Sequence, residues 1–427
     1  MSILTSQHLP TSGRWSNALS SLRMGILYFA VLSTSLGTAL SAIGRFALYV
    51  MAIGVWILAK QSEPKRRADL MHTSAAFTVL VAVAYMALSV LWSEASVREA
   101  VSAWARHARL LSIPIVCLLI YSYAEARSVL RVFAWGQIFV VFSSWLLVAG
   151  IPVPWATSKW VAPNYAVFGS YLEQAISQAV LVAIVWHQRD WILGAKGRWW
   201  AVAVAATTLV HTLGFLIGRS GHLVAIALVA IAVMYELPKR FRWATMAVPF
   251  LVFALAFTGF KTFRDRIELV RTEASDFTSK DNAATSSGQR LLYWRVALLA
   301  VQEQPILGHG AGSWNAQYRR LEAGKADRSS LGVTDPHQLF LLWAVEGGAV
   351  GLLLLCAVLG ELYVRSRKLP VNDARTLQSV IAALIVSGML NSMIFGIGMG
   401  DFFCVALGLC LALVHGNEPV LEPTNHG

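Results

Sequence analysis

The chain has 427 residues, of which 56% are hydrophobic and 14% charged, with a formal net charge of +12. Soluble domains carry roughly 25% charged residues, so this composition excludes an ordinary soluble protein and points to an integral membrane protein. The four cysteines (Cys117, Cys356, Cys404, Cys410) all lie in apolar runs and have neither metal-ligand nor disulfide-framework spacing.

Apolar stretches of spanning length recur from end to end. In chain order the expected spans are 24–40, 42–59, 73–92, 109–124, 128–150, 168–187, 200–217, 221–237, 244–260, 337–364, 376–397 and 400–416. The fold class is thus an all-α polytopic membrane protein of about twelve transmembrane helices. The first 23 residues are polar and lack a small-residue cleavage site, so no removable signal peptide is expected. Residues 94–108 read as an amphipathic helix with Val97, Val101 and Trp104 on one stripe. It would lie on the outer membrane surface, either as a spacer or gripping an anionic lipid through Arg106 and Arg109. Glu173 and His211 fall inside expected spans, where ionisable groups are costly; they would pair or line a path.

Arg219 sits in Leu-Ile-Gly-Arg-Ser-Gly-His, a tight turn between two expected helices. The flanking glycines would let the backbone turn and leave the guanidinium free. The apolar pattern then breaks. Residues 261–335 form one large polar insertion, dividing the chain into nine membrane helices (1–260), a loop with its own helices (261–336), and three more membrane helices with a tail (337–427). Within the loop a helix is expected over 262–273, with Arg264 and Arg266. A polar, mobile stretch follows at 276–288, then a clear helix over 289–304 that opens with Arg290. Trp294 lies on the same face as Arg290, one turn later. Pro-Ile-Leu-Gly-His-Gly-Ala-Gly-Ser-Trp (305–314) holds alternating glycines that permit unusual backbone angles. Asp335-Pro336-His337-Gln338 reads as a helix start, with Asp335 as N-cap, Pro336 at N1 and His337 in the first turn.

Topology explains the positive charge better than nucleic acid does, so no nucleic-acid partner is expected. With the N-terminus inside, the interior segments collect Lys60, Lys65, Arg66 and Arg67, then Arg127, Arg131, Arg189, Lys196 and Arg198, and finally Lys239, Arg240, Arg242, Arg365, Arg367, Lys368 and Arg375. The short outer turns hold far fewer. The positive-inside rule then puts both termini in the cytoplasm and the insertion in the periplasm of a bacterial inner membrane.

Several absences bound the chemistry. No Walker A motif, Asp-x-Asp pair, His-Glu-x-x-His or Gly-x-Ser-x-Gly is present, and neither a metal nor another cofactor is expected. A transferase on the outer face would need a donor that arrives already activated on lipid. A polyprenyl diphosphate sugar fits, because arginines can stabilise its leaving diphosphate without metal and one histidine can serve as base for an acceptor hydroxyl. Arg290, at a helix start, calls for a partner such as a bound anion, Arg219 is a free guanidinium in its turn, and His337 is a ready proton acceptor. Gln338, His222, His309, Arg264, Arg266 and Trp294 are secondary candidates.

Four pieces resemble the O-antigen ligase and polymerase superfamily. They are Gly-Arg-Ser-Gly at 218–221, Ser-Gly-Gln-Arg with Tyr-Trp at 287–294, the glycine-rich segment 305–314, and His337-Gln338 followed by Glu346-Gly-Gly-Ala-Val-Gly351. The resemblance covers roughly 165–400. It implies a GT-C-type, metal-independent transferase of undecaprenyl-diphosphate-linked glycan, with Arg219 and Arg290 as diphosphate binders and His337 as the base that activates the acceptor. The family often has Asn after the histidine, where this chain has Gln338. The single dominant loop favours a ligase that transfers O-antigen to the lipid A–core oligosaccharide with inversion. An O-antigen polymerase and a protein O-oligosaccharyltransferase are the alternatives within the superfamily; a lipid-linked glycan transporter and an envelope scaffold stand outside it.

Overall fold

The computed structural model describes residues 12–62, 74–194, 196–280, 283–323 and 335–413. Regular structure among them is helical throughout. In chain order the helices are α1 (Ser12–Ser33), α2 (Thr38–Ser62), α3 (Ser74–Leu88), α4 (Val97–His107), α5 (Ser112–Leu119), α6 (Tyr123–Val148), α7 (Tyr171–His187), α8 (Arg198–Gly214) and α9 (Arg219–Glu236). Next come α10 (Val248–Gly259), α11 (Lys261–Lys280), α12 (Ser286–Glu303), α13 (Trp314–Leu321), α14 (Leu339–Ser366), α15 (Val371–Gly388) and α16 (Ile397–Ala412). Thr334 and the 417–427 tail lie outside the described residues.

Among the described residues, six segments are long and apolar enough to cross a membrane: Thr38–Ile57, Ser74–Trp92, Tyr123–Val148, Arg219–Glu236, Lys239–Gly259 and Leu339–Ser366. Ala18–Ser33 and Ile397–Ala412 are shorter apolar helices. The chain is therefore a polytopic membrane protein. The expected span at 109–124 is instead a 3-10 turn joined to the eight-residue α5. The expected span at 376–397 starts and ends earlier, as α15, because the chain leaves helical geometry after Gly388.

Polar caps fix where helices begin. Ser170 and Glu173 form a reciprocal capping box at α7, so Glu173 is a cap and not half of a pair with His211. His211 instead meets Gln178 at 3.1 Å. Ser96 and Glu99 form the same device at α4. That helix turns Ala100, Ala103 and His107 inward, whereas Val97 and Val101 of the expected apolar stripe are exposed. Arg109 does not reach out to lipid either: it is buried and donates to the carbonyls of Phe395 (2.6 Å) and Ile394 (3.3 Å).

Helix α7 is central, packing on α6, α8, α9 and α15. Its approach to α9 is close because Gly221 has no side chain; a Cβ there would lie 2.3 Å from that of Ala175. Helix α14 is broken at Gly348, whose φ of 60° and ψ of −158° are non-helical. The 305–312 turn fills the break. His309 and Gly310 N–H groups donate to the carbonyls of Val345 and Glu346, while Ala349 and Val350 donate to those of Pro305 and Ile306. The freed backbone groups are thereby satisfied inside the protein, as a membrane interior requires.

Candidate active site

Arg219 opens α9 and is held, not free. Its Nη1 donates to Ser287 Oγ (2.6 Å) and to Glu273 Oε2 (3.1 Å). Glu273 comes from α11, which runs unbroken to Lys280, so the expected mobile stretch is helical up to that point. Ser287 lies in the first turn of α12, whose N-cap Thr285 accepts from Gly288 N–H. Burial raises the Glu273 pKa, but hydrogen bonds from Ser287 and Arg219 more than offset it, and the carboxyl is held below its usual range.

Arg290 is half-buried in α12 rather than exposed at a helix start. Its Nη2 donates to Asn391 Oδ1 at 3.3 Å, and it makes no ion pair among the described residues. Burial, and next the charge of Arg219, push its pKa down. Glu273 is paired with Arg219 and reaches Arg290 only through its charge, so no carboxylate is paired with Arg290 among the described residues. An anion bound between the two guanidiniums would relieve both.

The histidine arrives differently from the sequence expectation. Helix α14 begins at Leu339 with Gln338 as N-cap, its side chain accepting from Leu341 N–H. His337 therefore precedes the helix, because its φ of 52° is left-handed; neither Asp335 nor Pro336 takes the N-cap or N1 position. Asp335 instead turns back on the histidine. Its Oδ1 accepts from His337 N–H at 2.8 Å and lies 3.3 Å from Nδ1. Burial raises the Asp335 pKa, but the bonds to His337 outweigh it and the carboxyl is held low. An ionised carboxylate at Nδ1 favours the tautomer with Nε2 open as an acceptor. The His337 side chain is 45% exposed, so Nε2 can be reached.

Three distant stretches meet at the 389–396 segment between α15 and α16. Asn391 accepts from Arg290 and donates to Ser220 Oγ at 2.7 Å, next to Arg219. Ser392 lies beside the Asp335 carboxyl. Tyr293, one turn along α12 from Arg290, places its ring 5.8 Å from that of His337. Glu273, Ser287, Asp335, Asn391 and Ser392 were not among the sequence candidates. The signals for them were faint: an acid two residues before the histidine, and adjacent polar residues inside an apolar run.

The secondary candidates fare unevenly. Gln338 caps a helix. His222 is buried against the Leu216 carbonyl at 2.8 Å, with Phe263 on its ring. His309 is buried between Glu94 (2.7 Å) and the Ala300 carbonyl (2.9 Å), tying down the glycine-rich turn. Arg264 and Arg266 lie on α11 and form no ion pair among the described residues. Trp294 does not pack on the Arg290 guanidinium; its indole N–H is buried without a hydrogen-bond partner.

Residues 200–356 match the family model described as O-Antigen ligase. That segment holds Arg219, Arg290, Asp335 and His337 but not Asn391 or Ser392. A stretch of 95 residues is 26% identical to a Haemophilus influenzae protein described as an uncharacterized protein, covering 22% of this chain and 24% of that relative. The match thus spans about a quarter of the relative's length.

Proposed function

We propose that this chain, of which residues 200–356 match the family model described as O-Antigen ligase, is a ligase joining undecaprenyl-diphosphate-linked O-antigen to the lipid A–core oligosaccharide. The observation that carries the reading is that Arg290, Ser220 next to Arg219, and the Asp335 that holds His337 all meet one segment, 389–396.

The donor diphosphate lies between Arg219 and Arg290. Their remaining N–H donors meet charge that grows on the phosphate oxygen as the bond to the anomeric carbon breaks. Nε2 of His337 takes the proton of an acceptor hydroxyl while Asp335 fixes the ring through Nδ1. The hydroxyl oxygen attacks the anomeric carbon from the face opposite the diphosphate, so configuration inverts. Undecaprenyl diphosphate leaves with the bonding electrons, and the histidine returns its proton to water. No metal is assigned a role, because the arginines carry the charge stabilisation. In this reading the chain crosses the bacterial inner membrane several times in a GT-C-like arrangement. The 261–336 loop faces the periplasm and both termini face the cytoplasm, in keeping with the lysine and arginine asymmetry.

The test is reconstitution with purified lipid-linked glycan and rough lipopolysaccharide, with and without chelator. Glycan-capped lipopolysaccharide is expected in both conditions, and its formation is expected to collapse in His337→Ala. Longer lipid-linked glycan as the sole product would instead identify a polymerase. Glycan flipping without a covalent product would identify a transporter.

A further inference from the structure

A hollow of about 200 Å³ opens between α4, the glycine-rich turn, the start of α13 and Phe395 of the 389–396 segment. Its walls are Arg98, Ser102 and Arg106 on α4, Gly312 of the glycine-rich turn, Asn315 in the first turn of α13, and Phe395. The α4 residues recur every four positions and so form one stripe. The Arg106 guanidinium stacks over the Phe395 ring at 4.6 Å, which orients it and leaves its edge N–H groups free to donate. Neither Arg98 nor Arg106 forms an ion pair among the described residues. Glu99 also lines the hollow, and its carboxylate is engaged by the hydroxyl (2.7 Å) and N–H (3.2 Å) of Ser96 and by the Asn315 side chain, with Arg319 close by. The hollow is thus net positive.

Asn315 supplies an independent observation. Its Oδ1 is buried with no hydrogen-bond partner. A buried acceptor left unpaired costs free energy, and a hydroxyl donor would satisfy it. Two arginines with no acid paired to them attract an anion, the orphan oxygen accepts from an O–H group, and the Phe395 ring lines the same hollow. Those requirements are met together by a sugar bearing a phosphate. The volume is below the roughly 300–1,000 Å³ of pockets for drug-sized ligands, so it suits one sugar unit rather than a chain.

We infer that this hollow is a subsite for a phosphorylated sugar of the acceptor. Phe395 links it to the reaction centre: it packs in one cluster with Tyr293 and Trp314, and Tyr293 lies against His337. An acceptor gripped here would present its next sugars toward the histidine. The assignment of the ligand to the acceptor rests on the proposed function; the subsite itself does not.

The experiment has two arms, both on the full chain in nanodiscs of neutral lipid. The first measures binding of glucose 6-phosphate, glucose and inorganic phosphate by saturation-transfer NMR. Glucose 6-phosphate is expected to bind about tenfold or more tightly than either fragment. Arg98→Gln with Arg106→Gln should weaken it by about tenfold or more, and Asn315→Ala should remove the advantage over phosphate. Unchanged binding in the double variant overturns the subsite. So does complete displacement by phosphatidylglycerol doped into the disc, which would make a lipid headgroup the ligand. The second arm compares transfer to rough lipopolysaccharide before and after phosphatase treatment. A KM raised by dephosphorylation in the parent but not in the double variant supports the assignment, whereas equal KM values in the parent overturn it. Intact sugar-phosphate binding with no transfer to any acceptor would sink the proposed function and leave the subsite standing.

Discussion

At the scale of single residues, Asp335 and Glu273 do related work on different partners. Asp335 sets the His337 ring, so Asp335→Asn should leave the fold intact but cost activity. A general base contributes about 10²–10⁴-fold, and losing its orienting partner should forfeit roughly 10–10²-fold of that. A kcat that falls while KM for donor holds would support this role, and an unchanged kcat would refute it. Glu273 anchors Arg219, and its folded-state pKa lies below the ordinary value of 4.5. The stabilisation from the anchored carboxylate is therefore complete above about pH 4.5 and is lost as pH falls through the depressed value. Thermal unfolding of the detergent-solubilised chain should show Glu273→Gln well below the parent at pH 6, with the gap closing toward pH 3. A gap constant across that range would exclude the linkage. Arg219, Arg290 and His337 could be singled out as candidates because polar groups stand out against an apolar chain and fall in the motifs that carry the resemblance. Asp335 was misread because an acid followed by proline also spells a helix start, and only the left-handed backbone at His337 separates the two. Asn391 was hidden because hydropathy averaging runs a span straight through one polar pair.

At the scale of elements, the glycine-rich turn and the Glu-Gly-Gly-Ala-Val-Gly stretch of α14 prove to be halves of one device. The break at Gly348 frees carbonyls and N–H groups, and the 305–312 turn takes them up through four backbone hydrogen bonds. Alternating glycines in the one and paired glycines in the other were visible in the sequence. Their mating was not, since it depends on contacts between backbones some forty residues apart. The site depends on it, because α14 begins at the residue after Gln338 and its first nine residues are braced by this turn. A Cβ at Gly348 would lie 2.2 Å from the Ile306 carbonyl oxygen, in a backbone conformation that L side chains rarely adopt. Gly348→Ala should thus destabilise by on the order of 3 kcal/mol, combining backbone strain and overpacking. Gly360→Ala on the same helix meets nothing within 4 Å and should be neutral or slightly stabilising. Equal melting temperatures for the two variants would refute the brace.

At the scale of the whole molecule, everything assigned to the site presumes that the insertion faces the compartment where lipid-linked glycan is presented. The helical frame was legible from apolar length alone, but the sidedness rests on charge asymmetry and can be tested directly. The crossing between Lys239 and Gly259 separates two exposed positions, Lys239 at one end and Ser279 on α11 beyond the other. Cys117, Cys404 and Cys410 are buried and only Cys356 is exposed. Cys356→Ser should therefore give a background that reacts little with thiol reagents. On that background Ser279→Cys should be labelled by a membrane-impermeant maleimide in intact cells, and Lys239→Cys only after the membrane is permeabilised. The reverse pattern would put Arg290 and His337 on the cytoplasmic side, where the proposed reaction with lipopolysaccharide could not occur. Labelling of both positions in intact cells would mean that Lys239–Gly259 lies along the surface instead of crossing. That outcome is a real physical alternative, because only 6% of this segment is buried inside the protein. Its apolar face must therefore be covered by lipid, which a crossing satisfies on all sides and a surface helix on only one.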